Sequence, residues 1–294
     1  MRSLFAGKWL RMAKAGPIVA LACVLTPVYR AADASLVLGI FPRYNATETA
    51  TMYVPLAEHL TQRLGTRVSV VTAKDFDAFW KGVEEQKYDI VHYNQYHFIR
   101  SSQSYRVIAH SQEFGRSAVA GAVYVRRDSG INDLAQLRGR TVIFGGGKDA
   151  MMSYIAPRFL MMRAGLKESD FRTEFAVNPP NALLALYHRQ ADAAGGGDIL
   201  IDLPVVKNAI NTGEIRILAT TEQLLFLPWA VKRSMPAHQR DSLQAVLTEL
   251  NSTDAGKAVL KSAKTSAIEK AEDKDYVPHR KMIEAVFGTK GGVR

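Results

Sequence analysis

Aromatic and amide side chains are concentrated in one short stretch of the chain, residues 92–97, with the sequence HYNQYH. Clefts that bind small molecules combine aromatic walls with a few polar groups that orient the ligand. The stretch begins within a predicted strand, 89–93, and continues into the loop beyond it. We expect at least one of Tyr93, Asn94 or Tyr96 to contact a ligand. The alternative is that these rings pack in a core.

Three further loops contain candidate ligand contacts. Tyr44 follows the predicted strand 35–40, where it could wall a pocket or donate its hydroxyl. Lys148 lies in the glycine-rich turn 145–149, and a helix N-terminus with a nearby cation favours an anionic ligand. Asp198 follows three glycines, where it either caps a helix or binds a ligand cation. For Tyr44 and Lys148 the alternative is an ordinary surface turn.

The segments between these loops alternate between strand-like and helix-like patterns. Short apolar runs at 35–40, 68–71 and 89–93 predict buried strands, and helical periodicity separates them. A second series of this kind begins at Thr141. The pattern predicts the α/β class, with two Rossmann-like lobes joined by a two-strand hinge. The predicted bounds are 35–123 with 217–294 for lobe 1, and 124–216 for lobe 2.

The composition argues against several functional classes. The chain has 294 residues, of which 47% are hydrophobic and 22% charged, enough for two ordinary lobes. Its formal net charge of +10 is spread without a dense basic run, so we expect no nucleic-acid partner. We find no nucleophile elbow, no H-E-x-x-H motif and no unusual acid pair. We therefore expect neither an enzyme nor a cofactor or metal ligands.

The N-terminal residues 1–34 have the pattern of an export signal. Four basic residues precede the apolar run 16–26, and Ala32-Asp33-Ala34 supplies a cleavage motif. The apolar run is shorter than the roughly 20 residues that span a bilayer. A retained membrane anchor and lipidation of Cys23, the only cysteine, are the alternatives. After cleavage the protein would contain no cysteine, which excludes disulfides.

One longer run is typical of a known family. Residues 125–144, VRRDSGINDLAQLRGRTVIF, closely resemble a motif of substrate-binding proteins from phosphate/phosphite/phosphonate-type ABC transporters. Pro55-Leu56-Ala57 and Pro157-Arg158 match the same family. The resemblance implies a type II periplasmic binding protein fold that closes on a small ligand between its lobes.

The sequence departs from this family at its ligand motif. Members contain an S-T-S-G-Y stretch at the helix after this strand, and its hydroxyl and N–H groups hold the phosphonate oxygens. The corresponding segment here, 148–154, is KDAMMSY, so the resemblance carries over only Ser153 and Tyr154 as ligand contacts. Asp149 would repel a dianion. The methionines favour a less anionic ligand.

Together these observations predict a periplasmic, monomeric solute-binding protein. It would capture a phosphonate- or phosphite-like oxyanion by hinge closure and deliver it to a membrane ABC permease. The alternatives are a carrier for a more apolar, lipid-like ligand and a ligand-sensing partner of a membrane kinase.

Overall fold

The computed structural model describes residues 35–288 of the chain. The predicted export signal 1–34 and Cys23 lie outside these described residues. Between residues 35 and 288, no helix combines the length and apolar character needed to cross a membrane.

The described residues form strands and helices that alternate through most of the chain. The strands are β1 Leu36–Ile40, β2 Val68–Val71, β3 Ile90–His92, β4 Tyr105–Gln112, β5 Ala118–Val119, β6 Gly121–Arg126, β7 Thr141–Gly145, β8 Arg172–Ala176, β9 Ala193–Gly197, β10 Ile215–Thr220, β11 Leu224–Leu225, β12 Pro228–Lys232 and β13 Ala267–Lys270. The α-helices are α1 Ala46–Leu64, α2 Phe76–Glu84, α3 Gln95–Ser101, α4 Ala156–Arg163, α5 Pro179–Tyr187, α6 Pro204–Lys207, α7 Ala237–Glu249, α8 Asp254–Ser262 and α9 Val277–Phe287.

Two mixed sheets define the two lobes of the predicted fold class. The sheet of lobe 1 has the order β13-β4-β12-β3-β1-β2, and that of lobe 2 has the order β10-β6-β9-β7-β8. In lobe 1, β1 is parallel to β2 and β3, as the β-α-β pattern predicts, while β12 and β13 are antiparallel to their neighbours. In lobe 2, β7 is parallel to β8 and β9, whereas β6 pairs antiparallel with β9 and β10.

Two short strands join the lobes. β5 and β11 pair antiparallel as a separate two-stranded sheet, with Val119 opposite Leu224 and Ala118 opposite Leu225. Each lies where the chain passes between the two larger sheets. The predicted lobe boundaries, 123/124 and 216/217, fall inside β6 and β10, and both of these strands pair wholly within lobe 2. By pairing, the crossings therefore lie a few residues outside the predicted bounds.

Local signals in the sequence account for the ends of α1. The Asn45 side chain accepts a hydrogen bond from the Glu48 backbone N–H at 2.9 Å, which satisfies one of the free donors of the first turn. Gly65 ends the helix with φ 64°, a left-handed conformation that glycine adopts without a steric cost. Tyr53, Leu56 and Leu60 form the buried face, as their helical spacing predicts.

The helix predicted near residues 150–164 begins with a π-helical turn. The turn spans Met151–Ile155 and continues directly into α4. It packs closely on β9, where a Cβ added to Gly195 would lie 2.4 Å from the Ser153 carbonyl oxygen. The glycine run of β9 thus permits close packing of the turn. Single π-helical turns are frequent at functional sites.

One hydrophobic cluster extends through both lobes. It includes Val91 and Tyr93 of lobe 1, Val123 and Phe144 of lobe 2, and Ile283 of α9. α9 packs against α3 of lobe 1 and α4 of lobe 2. The C-terminal helix therefore contributes apolar surface to both lobes.

Candidate ligand-binding site

The loops that follow β3 and β7 meet at the boundary between the lobes. Asn94 Nδ2 donates a hydrogen bond of 3.3 Å to the Asp149 carbonyl oxygen. His97 Nε2 lies 3.7 Å from Asp149 Oδ2. Both loops lie at the carboxyl ends of parallel strands, where open α/β sheets bind ligands. The boundary between these loops is therefore the candidate site.

Asn94 is half-buried, and its side chain has two partners. Its Oδ1 accepts a hydrogen bond from the His97 backbone N–H at 2.8 Å and so caps α3. Its Nδ2 makes the contact with Asp149 that crosses between the lobes. The structure thus gives Asn94 a positioning role at the predicted site.

The structure places Tyr93 and Tyr96 in different environments. Tyr93 is fully buried beside Phe98 and Tyr105, and its hydroxyl lies 2.8 Å from Ser101 Oγ. Burial raises the pKa of Tyr93. Its side chain packs in the core, which is the alternative interpretation of these rings. Tyr96 lies at the boundary itself, with its ring centroid 5.7 Å from that of Phe287.

The loop after β7 presents unpaired backbone donors. The N–H groups of Met151, Met152 and Ser153 have no hydrogen-bond acceptor among residues 35–288. They form the first turn of the continuous helix 151–163, where backbone dipoles favour an anion. Lys148 is exposed at the rim, and its Nζ is 3.0 Å from Glu168 Oε1. That hydrogen bond with Glu168 raises the pKa of Lys148.

Ser153 and Tyr154 lie in this turn but have structural contacts. The Ser153 hydroxyl donates a 2.6 Å hydrogen bond to the Gly145 carbonyl oxygen, and only 4% of the residue is exposed. Tyr154 is 2% exposed and packs with its ring centroid 5.0 Å from that of Phe144. The Ser153 backbone N–H is therefore a better candidate contact than its hydroxyl.

The side chains of Tyr44 and Asp198 contact residues outside these two loops. The Tyr44 ring is covered by Lys264 Nζ, 4.0 Å from its centroid. Asp198 does not cap the short helix that follows it, which was one of its two expected roles, because that helix has no side-chain cap. Asp198 instead accepts hydrogen bonds from Arg116 Nη2 at 2.8 Å, Gln223 Nε2 at 3.0 Å and the Ala120 N–H at 3.2 Å. These partners belong to the segments that join the lobes.

A cavity of about 310 Å³ opens beside Tyr96 and Lys148. Its other wall residues are not among the ligand contacts predicted from the sequence. Phe76 and Trp80 mark the apolar face of α2, which in the sequence predicts only a helix. Phe287 comes from the far end of the chain, so no local signal could have assigned it. Of the described residues, no three His, Cys, Asp or Glu side chains are placed to hold a metal ion.

His97 is the buried polar group of this cavity. It is 4% exposed, and its Nδ1 has no partner among the described residues. Burial, together with the nearby Arg100 guanidinium, lowers the pKa of His97 to about 4. The imidazole is therefore neutral at pH 7.

The chain belongs to the family described as ABC transporter, phosphonate, periplasmic substrate-binding protein, whose model matches residues 38–276. Proteins of this family are periplasmic components of transport systems, not enzymes. They bind small molecules and work with a membrane ABC permease.

Individual relatives are similar to this chain along most of their length. The phosphonates-binding periplasmic protein of Escherichia coli (strain K12) is 22% identical over 287 residues, which cover 93% of this chain and 83% of the relative. A methylphosphonate complex of PhnD1 from Prochlorococcus marinus (MIT 9301) has a TM-score of 0.70 at 16% identity. The matched region covers 87% of this chain and 100% of the PhnD1 chain. An ATP-bound protein of Xanthomonas citri has a TM-score of 0.72 at 18% identity, with 88% and 99% covered. These likenesses show the type II periplasmic binding protein fold.

Proposed function

We propose that this protein binds a phosphonate between its two lobes and delivers it to an ABC permease. The observation that carries the proposal is the row of three unpaired N–H groups at Met151, Met152 and Ser153. Backbone donors at a helix start bind oxyanions regardless of the side chains that they belong to. The site can therefore hold phosphonate oxygens although the hydroxyls of the family motif are replaced.

Asp149 is the group that most opposes an anionic ligand. Its carboxylate lies 3.7 Å from His97 Nε2, in the wall of the side cavity. Burial raises the pKa of Asp149, as does the neighbouring Asp77 carboxylate.

A lipid-like ligand is not favoured by the cavity. Its wall includes four charged side chains, Asp77, Arg100, Lys148 and Asp149. Burying an acyl chain against these charges would cost free energy without a compensating contact.

The same proposal includes the export signal, the oligomeric state and the binding of phosphite. Residues 1–34 act as a cleaved export signal, because they combine a basic start, an apolar run and a cleavage motif. The exported protein is a monomer and also accepts phosphite. Native mass spectrometry of the periplasmic protein, with and without phosphite, checks the cleavage, the oligomeric state and the binding together.

A pair of variants at Met151 tests the amide site. Ala150 has an extended backbone, φ −74° and ψ 103°, which accepts a following proline. Proline is tolerated at a first helical position, and the Met151 N–H has no acceptor to lose. We expect Met151→Pro to weaken methylphosphonate binding about tenfold or more, because a hydrogen bond to a charged group contributes about 1.5–3 kcal/mol.

Met151→Ala is the matched control. It removes the same side chain, which is 2% exposed, and keeps the N–H. Isothermal titration calorimetry compares the two variants, and circular dichroism verifies that both are folded. Equal affinity of the two for methylphosphonate would rule out the amide site.

A further inference from the structure

The cavity beside Tyr96 receives walls from both lobes. Phe76 and Trp80 of α2 and Tyr96 of α3 come from lobe 1, and Lys148 and Asp149 come from lobe 2. Phe287 of α9 closes one side. The cavity has a volume of about 310 Å³, which is enough for a substituent of several heavy atoms.

Four aromatic rings line this cavity. They belong to Phe76, Trp80, Tyr96 and Phe287. A cation is already seen against two of them, because the Arg100 guanidinium lies 4.4 Å from the Trp80 centroid and 5.7 Å from that of Tyr96. Aromatic faces attract cations through their quadrupoles. The lining therefore favours a positively charged, apolar group.

The charges of the cavity are unevenly paired. The two cations have carboxylate partners outside it, since Arg100 lies 4.0 Å from Glu84 and Lys148 lies 3.0 Å from Glu168. Asp77 has no ion pair with any residue in 35–288. Asp149 has only the neutral His97 nearby. The cavity wall thus has two carboxylates, one from each lobe, and neither forms an ion pair with Arg100 or Lys148.

The two carboxylates also act on each other. Burial raises the pKa of Asp149, and the Asp77 charge raises it further. A cation placed between them would relieve this repulsion, and because the two residues belong to different lobes it would favour the closed arrangement.

We propose that this cavity holds the quaternary ammonium group of a zwitterionic ligand whose phosphonate or phosphate group lies at the Met151–Ser153 amides. The inference rests on the proposed function, because it uses the same amide site for the oxyanion. A trimethylammonium group suits the cavity better than a primary ammonium group, since its methyl groups contact the rings and need no hydrogen-bond acceptors. Asp149, in the wall of the cavity, lies two residues before the first of the amides.

Calorimetric titrations of the purified full-length protein test the inference. The ligands are methylphosphonate, 2-aminoethylphosphonate, 2-(trimethylammonio)ethylphosphonate and phosphocholine. We expect the trimethylammonium phosphonate to bind at least about fivefold more tightly than the other two phosphonates. Tighter binding of phosphocholine would support the cavity equally and identify the ligand as a phosphate ester.

Two charge-neutralising variants sharpen the result. Asp77→Asn removes one carboxylate of the cavity and should abolish most of the trimethylammonium preference, measured in the same variant as the ratio of the affinities for the trimethylammonium phosphonate and for methylphosphonate. Asp241→Asn is the control, because Asp241 is a 65% exposed carboxylate on α7, outside the cavity. It should change neither affinity.

The outcomes separate the inference from the proposed function. If methylphosphonate binds and the trimethylammonium compounds bind no more tightly, the inference is overturned and the proposed function remains. The inference also fails if the preference persists in Asp77→Asn. If no phosphonate and no phosphate ester binds, both fail.

Discussion

Three buried histidines are held neutral by the fold. His92, His97 and His279 are at most 4% exposed. Burial lowers the pKa of His92 to about 3 and those of His97 and His279 to about 4. His92 stacks on Trp229 with ring centroids 4.1 Å apart, and His279 Nε2 lies 3.1 Å from the Leu225 carbonyl oxygen of β11. The neutral imidazoles therefore pack within lobe 1 and against the hinge.

These residues predict a loss of stability in mild acid. The unfolded chain binds protons at these positions near the ordinary pKa of 6.5, while the folded chain binds them only near pH 3 to 4. The stability that they provide is complete above pH 6.5 and is lost as the pH falls towards 4. Each histidine contributes up to about 1.4 kcal/mol per pH unit in this window.

Urea unfolding at pH 7 and pH 5 measures this effect. His279→Gln, which keeps a side-chain donor for Leu225, should reduce the difference in unfolding free energy between the two pH values. His238→Gln, at an exposed position on α7, should leave it unchanged. A protein as stable at pH 5 as at pH 7 would contradict the assignment.

At the residue scale, sequence reasoning located the loops of the site better than the roles of their side chains. Asn94, Tyr96 and Lys148 lie at the lobe boundary, and their contact with a ligand stays a prediction. Tyr93 instead has its side chain in the core. β3 ends at His92 and α3 begins at Gln95, so the alternation of side chains between the two faces of a strand does not continue through the loop. The partners of Asp198 are 25 to 82 residues away in the sequence, and no local pattern could have identified them.

At the element scale, one carboxylate contacts both of the joining segments, in addition to the pairing of β5 with β11. Asp198 at the end of β9 contacts Arg116 and the Ala120 N–H in one segment and Gln223 in the other. The Asp198 side chain is 14% exposed. Both segments must change their backbone conformation when the lobes move. Since Asp198 contacts both, it couples the conformation of one segment to that of the other.

We expect Asp198→Ala to lower the free energy of unfolding by about 2 kcal/mol, because it leaves a partly buried Arg116 and a backbone N–H without their acceptor. Asp202→Ala is the comparison, since Asp202 is 63% exposed and pairs only with Lys207, an interaction that contributes about 0–1 kcal/mol. Urea denaturation measures both. Equal losses in the two variants would show that Asp198 does not hold the hinge.

Elements with a strong local pattern were predictable, and those defined by pairing were not. The apolar periodicity and Gly65 predict α1 and its end. β13, with the sequence AIEK, has no apolar run, and it is a strand because it pairs with β4. The segment 118–127 has no helical period in the sequence, and it contributes β6 to the interior of a sheet because β6 pairs with β9 and β10 from distant parts of the chain.

At the scale of the whole molecule, the fold brings together a row of backbone donors, a charged aromatic cavity and a hinge. The donors are at Met151–Ser153, the cavity lies beside Tyr96, and β5 with β11 joins the lobes. A ligand that contacts both lobes shifts the molecule towards closure by its differential affinity for the closed state. This is how a protein without a catalytic role can signal occupancy to a permease.

Titration of the wild-type protein with methylphosphonate, followed by isothermal calorimetry, tests the central claim most directly. The account predicts one saturable site per chain with a binding free energy of about −8 kcal/mol or more favourable, equivalent to a Kd of about 1 µM or lower. Absence of saturable heat at millimolar methylphosphonate, from protein shown to be folded, would contradict it.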